Sequence, residues 1–203
     1  MNFYSDIDKY ENRIAIVTAE GEEVSYRQFI ADGQTLFADV PARTLIFIVC
    51  ENCLESVCAY IGALRKRVVP VMVNAGIDSE LFQKLYLTYQ PRYIFMPQAW
   101  NQTIADTCDK VQAYRNYELY QTECKQEYEI YPELALLLTT SGSTGSPKLV
   151  RQSYENITAN ANSIAEYLDI RMEDRAITTM PMSYTYCLSI INSHLLRGAC
   201  IIM

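Results

Sequence analysis

The sequence has few of the groups that several common kinds of site require. It holds one histidine, His194, and because a triad or metal site needs partners, we interpret this residue, beside Leu195 on a predicted helix, as structural. Lysine and arginine number 17 against 24 acidic residues, and the net charge of −7 argues against a nucleic-acid-binding protein. No apolar run approaches membrane-spanning length, and the acidic start "MNFYSDIDKYE" does not resemble a signal peptide.

The cysteines do not form a recognisable metal site or disulfide framework. Cys50 and Cys53 have zinc-like spacing, but no second pair or histidine partner follows at a matching interval. The total is odd, and free thiols are typical of a reducing compartment, so we expect a cytoplasmic protein. The seven positions are Cys50, Cys53, Cys58, Cys108, Cys124, Cys187 and Cys200.

The composition suits a folded α/β protein. Half of the 203 residues are apolar and 20% are charged, which allows a substantial core in one domain, or in one domain of two lobes. β-Rich runs alternate with helical periodicity in the first half, which predicts parallel strands joined by helices. The predicted strands are 13–18, 44–50, 68–73 and 92–96, and the predicted helices start near Ser25, Leu54 and Asp78.

One helix start is specified in detail. Ser25 is a predicted N-cap, Gln28 is placed to reach back to its backbone, and Val24 and Phe29 occupy the two positions of a hydrophobic staple. Residues 97–132 are polar and poorly periodic, so no element is assigned there.

The second half returns to the same alternation. Strands are predicted at 133–140, 148–154, 175–180 and 199–203, with helices between them, the second ending at Gly198. The chain stops inside an apolar run, and we therefore expect it to be the first part of a longer protein. The predicted fold class is α/β, with mostly parallel sheets flanked by helices.

Residues 136–150, "LLLTTSGSTGSPKLV", carry the main functional signal. Gly142 and Gly145 allow the backbone amides to approach a ligand, and Lys148 adds a positive charge. Hydroxyl donors come from Ser141, Ser143, Thr144 and Ser146. Together these groups suit a polyphosphate.

This stretch has two other interpretations. A Walker P-loop needs glycine before its lysine and a helix after it, but Lys148 follows Pro147 and precedes a predicted strand. A Ser/Gly-rich surface turn or linker fits the composition about equally well. The immediate apolar flanks and the defined proline and lysine weigh against the linker.

The segment "TTSGSTGSPKLV" resembles the T-S-G-[ST]-T-G-x-P-K-G phosphate-binding signature of the adenylate-forming superfamily, which includes acyl-CoA synthetases and nonribosomal peptide synthetase adenylation domains. It departs from that signature at Leu149, where glycine is usual. "EEVSYRQF", "CENCLESVCAYIGALRKRVVPVMVN" and "TTMPMSYTYCLSIINSHLLRGACIIM" are similar to three further segments of the family, in the same order. Tyr184 stands where the family has a histidine and Cys187 where it has a glycine.

The resemblance implies site residues. Lys148 is expected to be catalytic, by stabilising the leaving pyrophosphate. Tyr184 and Tyr186 are expected at the acid pocket, with Tyr184 as an aromatic wall. The expected ATP-binding residues are Thr140, Ser141, Gly142, Ser143, Thr144, Gly145, Ser146, Pro147 and Lys148.

The resemblance also implies substrates and organisation. A carboxylic acid and ATP would form an acyl-adenylate, and a thiol of CoA or of a carrier protein's pantetheine arm would accept the acyl group. Mg²⁺ is implied, with its main ligand expected beyond residue 203. The chain is expected to be a partial N-terminal AMP-binding domain, with sub-lobes of roughly 41–152 and 1–40 plus 153–203, and without the C-terminal lysine domain.

Activity of the chain alone is a separate question. Because the family's other motifs are not matched here, the isolated chain is expected to bind nucleotide weakly and to catalyse little. The alternative is a stand-alone nucleotide-binding or scaffold module, and a nucleotide hydrolase is a third, weaker hypothesis.

Overall fold

The computed structural model describes residues 2–100, 104, 106–125, 128–139 and 148–203. The helices are α1 (Phe3–Asp6), α2 (Tyr26–Leu36), α3 (Leu54–Lys66), α4 (Ser79–Tyr89), α5 (Tyr154–Tyr167) and α6 (Thr185–Arg197), with a 3₁₀ turn at Ile7–Tyr10. The strands are β1 (Ile14–Val17), β2 (Glu23–Ser25), β3 (Leu45–Cys50), β4 (Val69–Asn74), β5 (Tyr93–Pro97), β6 (Asp109–Tyr114), β7 (Tyr117–Gln121), β8 (Leu134–Thr139), β9 (Leu149–Ser153), β10 (Arg175–Ile177) and β11 (Cys200–Ile202).

The strands form two sheets. The larger has seven strands in the order β6-β7-β5-β3-β4-β8-β9, and its centre is parallel: β3 pairs with β4 and β5, and β4 pairs with β8. The smaller has the order β10-β11-β1-β2. The prediction of an α/β fold with mostly parallel strands is therefore confirmed. The larger sheet is built from residues between 45 and 153, and the smaller from both ends of the chain, while the division into sub-lobes stays a prediction.

The central strands are buried on both faces, which explains their continuous apolar runs. All six residues of β3 are buried. Ile46 and Ile48 face the cluster that contains α3, whereas Phe47 and Val49 pack in the cluster of Phe82 on α4. Alternation along the strand thus assigns α3 and α4 to opposite faces of the larger sheet.

One cluster of buried side chains joins the two sheets. It includes Ile16 of β1 and Ile201 of β11, together with Ile46 and Ile48 of β3. Helices α2, α3, α5 and α6 contribute to the same cluster. The predicted staple residues belong to it as well, since Val24 and Phe29 are both buried.

The cap of α2 differs from the sequence expectation in detail. The Ser25 hydroxyl accepts a hydrogen bond from the Gln28 backbone amide at 3.2 Å, as predicted, but the Gln28 side chain donates to Asp32 at 2.6 Å instead of accepting from the Ser25 backbone N–H. The charged Asp32 carboxylate, one helical turn later, is a strong acceptor for the Gln28 side-chain amide. A complete capping box instead starts α5, between Ser153 and Asn156.

The segment 97–132, for which the sequence predicts no helix or strand, contains the β6–β7 hairpin. Its two-residue connection contains Arg115 with φ of 54°, and the register pairs Tyr114 with Tyr117. Exposed charged residues obscure the alternation in β6, while Tyr117 and Leu119 of β7 are buried against the sheet.

Helices α2 and α3 cross at two glycines, and this contact generates a stability prediction. A Cβ added to Gly62 would lie 2.8 Å from the Gly33 carbonyl oxygen and 3.0 Å from a ring carbon of Phe37. Gly62→Ala is expected to lower the free energy of unfolding by about 2 kcal/mol, because the helices must move apart. Urea denaturation measures the loss.

Gly76→Ala is the matched control. A Cβ there would meet only the Asn74 Oδ1 atom, at 3.1 Å, a contact that a shift of a few tenths of an ångström relieves. Equal stability losses in the two variants would contradict the close-packing explanation.

Candidate functional site

The predicted phosphate loop connects β8 to β9 at one edge of the larger sheet. These strands are antiparallel, and Thr139 pairs with Leu149 at the ends nearest the loop. Because β8 is parallel to β4, the loop follows the same edge at which β4 ends. This carboxyl edge is where open α/β sheets bind their ligands.

Of the predicted ATP-binding residues, the structure describes Lys148, which is exposed and lies immediately before β9. Thr140, Ser141, Gly142, Ser143, Thr144, Gly145, Ser146 and Pro147 lie outside the described residues. Their role in ATP binding therefore stays a prediction. The described flanks place both ends of the segment at the carboxyl edge.

Two asparagines attach the segment before α6 to the same edge. Asn52, just after β3, accepts a hydrogen bond from the Met182 amide at 3.0 Å and donates to the Met180 carbonyl at 2.8 Å. Asn74, the last residue of β4, donates to the Ser183 hydroxyl at 3.3 Å. The start of α6 is thereby held beside the ends of β3 and β4.

A cavity of about 500 Å³ lies between β8, β9, α5 and α6. It extends along β8 to Leu138, the last residue but one of the strand. Its other lining residues are Leu136, Arg151, Gln152, Asn156, Ile157, Asn160, Thr185, Leu188, Ser189 and Asn192. A cavity with a mixed polar and apolar lining suits a small organic ligand.

The two predicted pocket tyrosines flank one of these lining residues. Tyr184 immediately precedes α6 and is 45% exposed, and Tyr186 in its first turn is 65% exposed. Thr185, between them, lines the cavity, whereas among the described residues neither tyrosine does. A role for Tyr184 and Tyr186 in the acid pocket stays a prediction.

Sequence reasoning missed the polar stripe on α6. Thr185, Ser189 and Asn192 follow one another at helical spacing and all line the cavity. That periodicity was available as a signal, but isolated hydroxyl and amide residues on an apolar helix do not by themselves indicate a cavity. The partner elements that close the cavity, β8 and α5, are distant in sequence.

The position of Arg151, three residues after Lys148, suggests either support of the triphosphate or a surface pair with Glu155, and the sequence slightly favours the pair. Among the described residues no salt bridge joins Arg151 to Glu155, and Arg151 instead lines the cavity. Arg65, Lys66 and Arg67, interpreted from sequence as a solvated helix end, all make tertiary contacts. Arg65 pairs with Asp8, Lys66 donates to Ala38 and Arg67 donates to Pro132.

The histidine and the cysteines show no catalytic or metal geometry within the described part of the chain. His194 Nδ1 lies 2.8 Å from the Ile190 carbonyl oxygen, in agreement with its structural interpretation. All seven cysteines are free, and burial raises the pKa of the Cys187 thiol to about 11. Among the described residues, no group of three or more His, Cys, Asp or Glu side chains could hold a metal ion.

A second cavity, of about 600 Å³, lies near the beginnings of β3 and β8, where Leu45 and Leu134 line it. Arg151, Gln152 and Asn156 line both cavities, but the described lining of the second includes neither Leu138 nor any residue of α6, so it lies further from the loop end of β8. We therefore place the candidate site at the carboxyl edge.

In the described residues, no helix is long and apolar enough to cross a membrane.

An α/β sheet with a hydroxyl- and glycine-rich loop and an adjoining cavity at its carboxyl edge defines a class of nucleotide- and small-molecule-binding proteins. The family model of AMP-binding enzymes matches residues 3–203, and the chain belongs to that family.

Individual relatives match over limited lengths. The chain is 37% identical over 70 residues to malformin synthetase mlfA of Aspergillus tubingensis, covering 34% of this chain and 1% of that protein. It is 33% identical over 66 residues to the long-chain-fatty-acid–CoA ligase FadD13 of Mycobacterium tuberculosis, covering 32% of this chain and 13% of the ligase.

The fold is similar to that of ATP-bound MatB from Rhodopseudomonas palustris, with a TM-score of 0.80 and 21% identity. That match covers 100% of this chain and 45% of the MatB chain. The chain thus spans under half the length of this solved structure and a small part of the two relatives above.

The hydrogen bonds of Asn52 and Asn74 to residues 180–183, here called the asparagine anchor, lead to a second prediction. Asn52→Ala would leave the amide of the buried Met182 without its acceptor, so the free energy of unfolding is expected to fall by about 2 kcal/mol. Asn162→Ala is the control, because its side chain is exposed and bonds only within its own helix, to Thr158. If urea denaturation gives the same loss for both, the anchor is not a stabilising contact.

Proposed function

We propose that this chain takes part in the ATP-dependent activation of a carboxylic acid. The carboxylate oxygen attacks the α-phosphorus of ATP, the bond to the β,γ-diphosphate breaks, and an acyl-adenylate and pyrophosphate result. The acyl group then passes to a thiol, of CoA or of a carrier protein's pantetheine arm, with release of AMP. The acid, the thiol acceptor and the whole protein's activity are all parts of this proposal.

The observation that carries the proposal is the arrangement at the carboxyl edge in a chain of the AMP-binding family. The loop signature begins after Thr139 and ends at Lys148, and the cavity reaches Leu138. A carboxylic acid in the cavity would have its reacting end beside the loop. Orientation of two reactants in this way lowers the barrier by removing their relative freedom.

Lys148 is assigned the central electrostatic role. Its exposed ammonium group, at the exit of the loop, would neutralise charge that develops on the departing pyrophosphate. The backbone amides and hydroxyls of residues 140–146 would orient the same phosphates. Mg²⁺ would add charge neutralisation when bound.

The proposal also covers the location and the partners of the protein. A cytoplasmic location is supported by seven cysteines that are all free thiols. The resemblance to a ligase supports a small-molecule acid and a thiol as partners, rather than a nucleic acid, and the net charge of −7 agrees.

Lys148→Ala provides the test in the full-length protein. We expect acid-dependent ATP–pyrophosphate exchange to fall about 100-fold in kcat/KM, the loss typical of removing one transition-state charge partner. Lys84→Ala is the matched control, since Lys84 is exposed on α4, on the opposite face of the sheet. Equal activity of the Lys148→Ala and Lys84→Ala proteins would exclude the assigned role.

The alternative is a nucleotide-binding or scaffold module without catalysis. The comparison that separates the two hypotheses uses the full-length protein and the 203-residue chain in the same exchange assay. We expect exchange from the first and little from the second. Nucleotide binding by the full-length protein without exchange for any acid would favour the alternative, and exchange by the isolated chain at the full-length rate would contradict our expectation for the fragment.

A further inference from the structure

A third cavity, of about 580 Å³, lies at the carboxyl ends of strands from both sheets. In the smaller sheet, its lining includes Thr18 after β1 and Met203 after β11, and these two strands are parallel. In the larger sheet, it includes Glu51 after β3 and Pro97 at the end of β5, which are also parallel. The volume falls within the roughly 300–1,000 Å³ of small-molecule sites, and the carboxyl ends of strands are where α/β sheets bind ligands.

Four glutamates line this cavity, and a neighbouring arginine pairs with one of them. Arg115 donates two hydrogen bonds to the Glu22 carboxylate, at 2.7 and 2.5 Å. Within the described part of the chain, Glu20, Glu51 and Glu55 form no salt bridge. Three carboxylates without a cationic partner therefore surround the cavity, and charge complementarity favours a cationic ligand.

Glu55 distinguishes this cavity from an acidic stretch of surface. The residue lies in the first turn of α3 and is 9% exposed. Its carboxylate has no hydrogen-bond partner among the described residues, and neither oxygen is fully enclosed, so accessible surface remains at the carboxylate. Because Glu55 lines the cavity, that surface opens into it. A carboxylate this buried is unfavourable without a partner, and a cation in the cavity would supply one.

The positions of the carboxylates favour a cation with several separate charges. Glu20 lies in the connection between β1 and β2, whereas Glu51 and Glu55 lie at the start of α3, so the charges come from different walls. A polyamine carries its ammonium groups on an extended chain, and each group can meet a different carboxylate. Its methylene segments need apolar surface between the charges, which Leu54 and the Tyr117 ring offer among the lining residues.

We propose that this cavity binds a polyamine, and that Glu55 is the residue on which its binding mainly depends. One ammonium group pairs with Glu55 inside the cavity, and the others meet Glu20 and Glu51, which are exposed. The site goes beyond the proposed function, because acid activation does not require it. Among the described residues, it shares none of its lining with the cavity beside α6.

Isothermal titration calorimetry of the full-length protein with spermidine tests the site. A salt concentration of about 0.15 M screens non-specific attraction between a polycation and an acidic protein. We expect saturable binding at one site, and we expect Glu55→Gln to weaken it at least about 10-fold, because the variant keeps the side-chain shape but loses the buried charge. Urea denaturation without spermidine checks that the variant is folded.

Glu80→Gln is the matched control, since it makes the same chemical change at an exposed residue of α4 that does not line this cavity. Its affinity for spermidine should equal that of the wild type. Absence of saturable binding by the wild type would overturn the inference, and so would equal affinities of the wild type and Glu55→Gln.

Three further probes identify the class of cation. Butylamine, with a single ammonium group, is expected to bind at least about 10-fold more weakly than spermidine, since it meets only one carboxylate. Displacement of spermidine by an equal concentration of Mg²⁺ would overturn the choice of an organic cation. Tighter, Glu55-dependent binding of pentalysine would overturn the choice of a free polyamine and assign the site to a basic protein segment. Because the titrations contain no ATP and no acid, their outcome is independent of the proposed function.

Discussion

The parallel pairing of β3, β4 and β8 is the constraint on which the rest of the structure depends. Parallel strands end at one edge, so every segment that follows one of them starts from the same place. Asn52, Asn74 and the loop after Thr139 are far apart in sequence but share that edge for this reason alone. The apolar runs that specify burial on both faces therefore also determine where polar chemistry can gather.

Hydrogen bonds from side chains, rather than strand pairing, extend this edge to α6. Asn52 and Asn74 connect the ends of β3 and β4 to the segment 180–183, and α6 starts directly after it. The helix then continues as one wall of the cavity whose opposite wall is β8. A buried cluster of side chains, to which both sheets and helices α5 and α6 contribute, packs these elements together.

Much of the framework could be predicted from the sequence. The alternation of β-rich runs with helical periodicity gave the parallel strands β3, β4 and β5, because burial on both faces leaves a continuous apolar signature. The signature around Lys148 indicated the family, which the match over residues 3–203 confirms. The β6–β7 hairpin escaped detection, because charged residues mask the alternation of β6 and its stability comes from pairing with β5.

The cavity could not be predicted for a related reason. Its walls come from β8, β9, α5 and α6, and only the tertiary arrangement shows that Thr185, rather than its tyrosine neighbours, lines it. Which residues of a helix line a cavity can be determined only when the element packed opposite that helix is known. Arg151 illustrates the same limit, since its sequence neighbour Glu155 suggested a pair that the fold does not form.

The asparagine anchor has a consequence for how such a protein can diversify. Because side-chain bonds fix Met182 and Ser183, just before α6, to the sheet, the residues one to two turns along the helix can change without displacing its start. Under the proposed function, the acid and the phosphates would be held by separate walls that meet where Asn52 and Asn74 fix the start of α6. Relatives of this chain would then acquire new acid preferences through a few substitutions on one helix while they keep the phosphate chemistry.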